Sequence, residues 1–145
     1  MIEKKMDLWT EIDDPVYQKI WRCVLTNGNL KRNGEAVMGK GCALEAVEKY
    51  PDLPVLLGSS IRKFGNQVFS FNEYSIITFP TKYDWYDDSD ISLILKSAKE
   101  LSKKINEEHL YLLPRPGCGF GGLQWNNVKK VIAEFLPDNV IVVYK

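Results

Sequence analysis

Two glycine-bearing loops and one lysine are the residues of this chain best suited to chemistry. "LPRPGCGFGGLQW", Leu113 to Trp125, holds four glycines and two prolines. "NGNLKRNGEAVMGKG", Asn27 to Gly41, is a second polar, glycine-bearing stretch. Backbone this bare can turn successive N–H groups inward, and a following helix adds the positive end of its dipole. Such a surface suits an anion, phosphate above all. Glycine loops also make ordinary turns, so either loop alone says little; two at strand-to-helix junctions could clamp a diphosphate from both sides. Lys82, in "FPTKYDW", follows a β-rich run and the helix-disfavouring Pro80, which puts it at a sheet edge. A neutral lysine amine is a nucleophile toward an electrophilic carbon.

Other chemistries have less to stand on. "GKGCALEAV" lacks the GxxxxGK[ST] spacing of a P-loop, and "GCGFGG" is not a GxGxxG followed by a ribose-binding acid. His109 is the only histidine and begins a strand, where a structural role is expected. No His, Asp or Cys cluster has metal-ligand spacing, so no metal is expected. Cys23, Cys42 and Cys118 form an odd, widely spaced set with no CxxC pair, which reads as reduced thiols. Lys plus Arg and Asp plus Glu are both 19, which disfavours nucleic-acid binding through bulk charge while leaving room for a local patch. "MIEKKMDLW" lacks the apolar run of a signal peptide, and no segment is long enough to span a membrane. The expectation is a cytoplasmic protein with no membrane contact.

The elements that must position these groups follow from periodicity. The 145 residues, 45% apolar and 26% charged, suit a single domain over residues 1–145. Ile20–Thr26 reads as a buried strand, Cys42–Tyr50 as a helix stopped by Pro51, and Leu53–Phe64 as a second helix ended by Gly65 and Asn66. "QVFSF" and "YSIITF" form a hairpin-like pair. Ser89 or Asp90 can cap a helix whose apolar positions run from Ile91 to Ile105 at helical spacing. "HLYLLP" is a strand, Trp125 to Leu136 an amphipathic helix and "NVIVVY" a terminal strand. Strands alternating with helices predict an α/β sandwich around a largely buried mixed sheet. In such sheets ligands bind at the carboxyl ends of strands, where both loops belong. No coiled-coil heptad or long apolar edge argues for assembly, so a monomer is expected.

In this order along the chain the motifs resemble those of the macro domain family, which binds ADP-ribose. "MDLW" is similar to the family's early strand-end motif, and "TNGNLKRNGEAVMGKGCALEA" to its first phosphate loop. "ITFPTKYDW" resembles a strand ending in a Thr-Lys pair, "LPRPGCGFGGLQW" the second phosphate loop, and "NVIVVY" the last strand. The branch it resembles contains the DNA ADP-ribosylation antitoxins and the terminal ADP-ribose glutamate hydrolase. The resemblance implies a three-layer α/β/α sandwich around a mixed β-sheet, and no cofactor beyond the ligand. It implies that Asp7 accepts a hydrogen bond from the adenine amino group and that Asn27 holds the distal ribose, with Asn29 a rival. Gly39, Lys40, Gly41 and Cys42 would line the diphosphate from one side; Gly117, Cys118, Gly119, Phe120, Gly121 and Gly122 would close over it from the other. Tyr144 could flank the adenine.

Macro domains include hydrolases that remove ADP-ribose, non-catalytic readers, and phosphatases acting on ADP-ribose 1″-phosphate. In the branch resembled here the lysine corresponding to Lys82 is catalytic, which implies an ADP-ribosyl hydrolase acting on a macromolecule. The glutamate-linked hydrolase has an aspartate where this chain has Gly121, which removes one acid from that mechanism. Glu35, Asp84 and Asp87 are nearby in sequence as substitutes. The carrier of ADP-ribose could be DNA or protein. Lys31, Arg32, Lys40 and Lys82 would supply a basic rim for a nucleic acid, and Tyr83, Trp85 and Tyr86 could stack on a base, on another surface, or fold back on the helix.

Overall fold

Alternation along the strands decides the layers. In β2 (Lys19–Thr26), Trp21 and Cys23 join one buried cluster while Val24 joins another. In β5 (His109–Pro114), Tyr111 and Leu113 go to the first face and Leu110 and Leu112 to the opposite one. Successive side chains of a strand point to opposite faces, so a strand apolar at every position must be covered twice. The computed structural model, which describes all residues from Met1 to Lys145, has that covering.

Six strands form one sheet in the order β1-β6-β5-β2-β4-β3. Besides β2 and β5 these are β1 (Ile2–Lys5), β3 (Phe69–Phe71), β4 (Ile76–Pro80) and β6 (Val140–Tyr144). All neighbours are parallel except the β3–β4 hairpin, so the sheet is mixed. Helices α3 (Ile91–Ser102) and α4 (Trp125–Ile132) bring Ile94, Ala98, Leu101, Val128 and Ile132 onto one face. Helices α1 (Gly41–Lys49) and α2 (Leu53–Phe64) cover part of the other with Ala43, Ala46, Leu53, Leu57 and Ile61. The rest of that face lies under the segment after β1, where Leu8, Ile12 and Tyr17 pack on Leu110, Leu112 and Val143. The expected α/β/α sandwich is the fold observed.

Local chemistry sets the ends. Asp90, rather than Ser89, caps α3: its Oδ1 accepts from the amides of Ser92 and Leu93 at 2.8 and 3.1 Å. The helix expected to reach Leu136 is α-helical only to Ile132 and finishes in a 3-10 turn, Ala133–Phe135. Pro137 follows, and a residue before proline is driven to extended backbone; Leu136 has φ −113° and ψ 115°. His109 is structural, its Nδ1 accepting from the Trp21 indole at 3.0 Å.

The first glycine loop is docked on α2. The Ala36 amide donates to the Pro54 carbonyl at 2.9 Å, and the Gly34 carbonyl lies against Gly58. A Cβ added at Gly58 would stand 2.0 Å from that carbonyl oxygen. In an isolated helix Gly→Ala gains about 1 kcal/mol. Here Gly58→Ala is expected to cost about 1–3 kcal/mol through overpacking, read as a fall in the denaturant midpoint. A stabilised variant would contradict the docking.

Candidate functional site

The strands beneath the two loops come apart. β2 and β5 are paired from Lys19–His109 to Arg22–Leu112 and no further. β2 continues beside β4 to Thr26, and β5 continues beside β6 to Pro114. The chain after β2 winds toward β4 while the chain after β5 winds toward β6, so a crevice must open between them. Opening it leaves the Leu25 amide, on the β5 side of β2, without a strand partner. That N–H donates to the Cys42 Sγ at 3.3 Å. Burial raises the Cys42 thiol to about 11, the Leu25 bond opposing only part of that, so Cys42 acts as a neutral strut.

The crevice is a cleft of about 860 Å³. Asp7, Asn27, Gly39, Lys40, Gly41, Cys42, Lys82, Gly117, Cys118, Gly119, Phe120 and Gly121 all line it. Of the residues expected from sequence, Gly122 does not: it turns the chain beside Asp88 with φ +78°. α1 enters the cleft wall with Lys40 at its N-cap, no side-chain cap and no acid in its first turn. Its uncapped N–H groups and dipole therefore favour an anion there.

The second loop sorts its glycines by job. Gly117 has φ +74°, and a Cβ there would crowd Ile94, Leu123 and Ser89 at 2.9–3.0 Å. A Cβ at Gly121 would stand 2.1 Å from the Ser89 Oγ and 2.5 Å from the Gly117 carbonyl oxygen. Both glycines are there for packing. Gly119, like Gly39 across the cleft, would meet nothing within 4 Å, which leaves its backbone open to a ligand. Phe120, 72% exposed, reaches over the first loop: a Cβ at Gly41 would be 3.6 Å from its ring, and the Lys40 ammonium lies 5.6 Å from its centroid.

Several side chains are already engaged. Asn27 donates from Nδ2 to the Val37 carbonyl at 3.1 Å and accepts on Oδ1 from the Asn29 amide at 2.9 Å. It braces the loop, so the role of ribose ligand expected for its side chain competes with that brace. Asn29 does not line the cleft and is bonded to Asp84 and Trp85. Glu35, Asp84 and Asp87 are likewise off the cleft wall; the acids that line it are Asp7 and Glu45. Lys82 lines the cleft and forms no ion pair. Trp85 lines the rim, and Trp85, Tyr83 and Tyr86 are all more than half exposed rather than folded back on the helix. No group of three or more His, Cys, Asp and Glu side chains is arranged to hold a metal ion.

The far end of the cleft is built on charge. Asp7 Oδ1 accepts from the Trp9 amide at 2.8 Å and Oδ2 pairs with Lys145 at 3.2 Å. The Trp9 amide, ahead of Lys145, holds the Asp7 carboxyl below its ordinary value. Tyr144 lines this end, with the Arg115 guanidinium 3.9 Å from its ring centroid. Arg115 is held by Glu3 at 3.2 Å, and Glu3 also accepts from the Trp125 indole at 2.7 Å and Lys129 at 2.6 Å. Sequence reasoning passed over Arg115 and Ser89. Arg115 had a signal, standing between two prolines in the second loop; Ser89 had none beyond its place as a rival cap.

A parallel-sheet crevice flanked by two glycine loops, one of them leading into an uncapped helix, defines a macrodomain. The chain is a macrodomain, and it is similar to those of DarG. The macrodomain of Mycobacterium tuberculosis DarG superposes with a TM-score of 0.74 at 25% identity, covering 99% of this chain and 95% of that one. A DNA ADP-ribosyl glycohydrolase of Thermus aquaticus is 31% identical over 115 residues, 72% of this chain and 32% of its own. Thermosipho africanus DarTG in complex with ADP-ribose shares the fold, with a TM-score of 0.68 at 22% identity over 89% of this chain and 38% of that one. No family model matches the chain. The chain spans about a third of the length of the relatives it matches in sequence.

Two outcomes follow from the site's construction. Gly121→Ala should lose about 1–3 kcal/mol of stability, with Ser89→Gly relieving only part of it because the Gly117 carbonyl remains in the way. A Gly121→Ala protein as stable as the parent would contradict the geometry. The second concerns Glu3, whose carboxyl is held below its ordinary value, first by the Lys129 hydrogen bond. A carboxyl lowered on folding stabilises above its unfolded pKa, and that gain disappears as pH falls through the folded value. Glu3→Gln should therefore lower the denaturant midpoint near neutrality, with the gap closing in acid. A gap that widens in acid would have the wrong sign.

Proposed function

We propose that this macrodomain binds ADP-ribose and removes it from a DNA carrier. The observation that carries the reading is Lys82, an amine without an ion-pair partner on the wall of a cleft whose two loops offer bare backbone. The amides around Gly39, Gly41 and Gly119 would hold the diphosphate, aided by the N-terminus of α1. Asp7, ionised and with lone pairs left over from its two bonds, would accept from the adenine amino group. Tyr144 would lie along the base, and Phe120 would close over the diphosphate.

Lys82 then faces the distal sugar. The ribose opens as its C1″–O4″ bond breaks, O4″ taking up a proton while the lone pair of the linked carrier atom leaves C1″ electrophilic. The Lys82 amine forms a bond to C1″; the C1″ bond to the carrier then breaks, and its electron pair leaves with the carrier atom, which takes up the proton released by the amine. Water then attacks the resulting imine carbon, frees ADP-ribose and restores the amine. DNA as the carrier is supported by the glycohydrolase activity that the names of its relatives carry. A non-catalytic reader is the second reading, favoured by one observation: Gly121 leaves no room for an acid in the second loop.

Lys82→Ala separates the two. The variant is expected to release ADP-ribose from an ADP-ribosylated oligonucleotide at least about 100-fold more slowly, a loss typical of a group acting in the chemical step, while its calorimetric affinity for free ADP-ribose stays at the parental value. Parental turnover in the variant would remove Lys82 from the mechanism. Tight ADP-ribose binding with no turnover in the parent would leave the reader.

A further inference from the structure

The segment carrying Lys82 is a closed excursion with little of its own to bury. It leaves the sheet at Thr81, whose amide donates to the Thr26 carbonyl at 2.9 Å. It returns at Asp90, whose amide donates to the Thr81 carbonyl at 2.9 Å. Between these anchors its large apolar side chains, Tyr83, Trp85 and Tyr86, stand in solvent. Packing does not determine the shape of such a loop. Hydrogen bonds from outside it do.

Each residue from Lys82 to Trp85 is held once by a group from elsewhere in the chain. The Asn66 Nδ2 donates to the Lys82 carbonyl at 3.1 Å. The Gly28 amide donates to the Tyr83 carbonyl at 3.1 Å. Asn29 makes the other two: its Nδ2 donates to Asp84 Oδ1 at 3.0 Å, and its Oδ1 accepts from the Trp85 amide at 2.5 Å. Gly28 is small for the same reason, since a Cβ there would come within 3.0 Å of Asn66 and 3.1 Å of the Tyr83 carbonyl. Asn29 is itself fixed: its amide donates to Asn27 Oδ1 at 2.9 Å, and its carbonyl accepts from the Val37 amide at 3.1 Å.

We propose that Asn29 is a positioning residue, which sets the Lys82 amine for reaction without touching the ligand. The inference rests on the reading of Lys82 as the reacting group. The side chain must donate to a carboxylate and accept from an amide at once, which a carboxamide does and a carboxylate does not. Because Asn29 belongs to the first loop, the same short segment that borders the diphosphate cleft also fixes the lysine loop. The two halves of the site are thereby held at one spacing. A misplacement of about 1 Å in a reacting group can cost about 100-fold in rate.

The geometry supplies its own rescue. Asn29→Asp keeps the acceptor for Trp85 but sets two carboxylates against each other. Adding Asp84→Asn restores one donor and one acceptor with the roles exchanged. On the ADP-ribosylated oligonucleotide, Asn29→Asp is expected to lower kcat about 10- to 100-fold, with KM and the affinity for free ADP-ribose little changed. The exchanged pair should recover most of the loss. Thermal melting of each variant identifies a loss due to unfolding, in which case the exchanged pair, compared with Asp84→Asn alone, carries the test. Parental kcat in a folded Asn29→Asp protein, or no recovery in a folded exchanged pair, overturns the proposal. If the parent itself turns nothing over, the reading of Lys82 falls. The clamp is then judged by hydrogen exchange at the Trp85 amide: protection lost in Asn29→Asp and regained in the pair supports it, and unchanged protection in Asn29→Asp refutes it.

Discussion

Everything at this site depends on the parting of β2 and β5. A parallel sheet that winds outward in both directions from one pair of neighbours has to open at their carboxyl ends, because the connections leave to opposite sides. Here the ladder stops at Arg22 and Leu112. The opening would strand the Leu25 amide, and a buried N–H without a partner costs about 1–3 kcal/mol. Cys42 removes that cost from the first turn of α1, the helix whose N-terminus also forms the cleft wall. One contact thus completes the strand, places the helix and fixes the distance between sheet and first loop.

Given that opening, each of the two loops offers the cleft a stretch of bare backbone. Gly39 and Gly119 face open space, while Gly117 and Gly121 are glycines because neighbours fill the room a side chain would need. The polar side chains in and around the first loop are engaged with the protein itself: Asn27 with Val37 and Asn29, Asn29 with Asp84 and Trp85. Lys82 and Lys40 both line the cleft without an ion-pair partner; Lys40 lies by Phe120 at the N-terminus of α1, and Lys82 stands on the separate loop after β4. That arrangement suits a site that holds an anion by fixed amides and keeps amines available beside it.

Much of this was legible in the residues. The limits of α2 could be read directly, from Leu53 behind Pro51 to Phe64 before Gly65, and the two glycine loops announced themselves. β1 could not be read: "IEKK" offers no apolar run, and its strand character comes from pairing with β6 across almost the whole length of the chain. α4 ended a few residues early because a proline beyond the periodic stretch governs Leu136. The site was legible wherever the backbone does the work and illegible wherever a side chain's partner is distant. Asn27 and Asn29 are alike in sequence; only contacts made ten residues away by one and fifty-five by the other separate brace from clamp. The Gly121 departure also reads differently in three dimensions, as a position with no space for an acid rather than as an acid lost.

The most direct measurement is a calorimetric titration of the protein with ADP-ribose, with AMP as control. Two loops clamping a diphosphate predict micromolar binding of ADP-ribose and much weaker binding of AMP, which carries the adenine but lacks the second phosphate and the distal sugar. Equal affinity for the two, or no binding of either, would mean that the parted strands and bare loops do not form a diphosphate clamp.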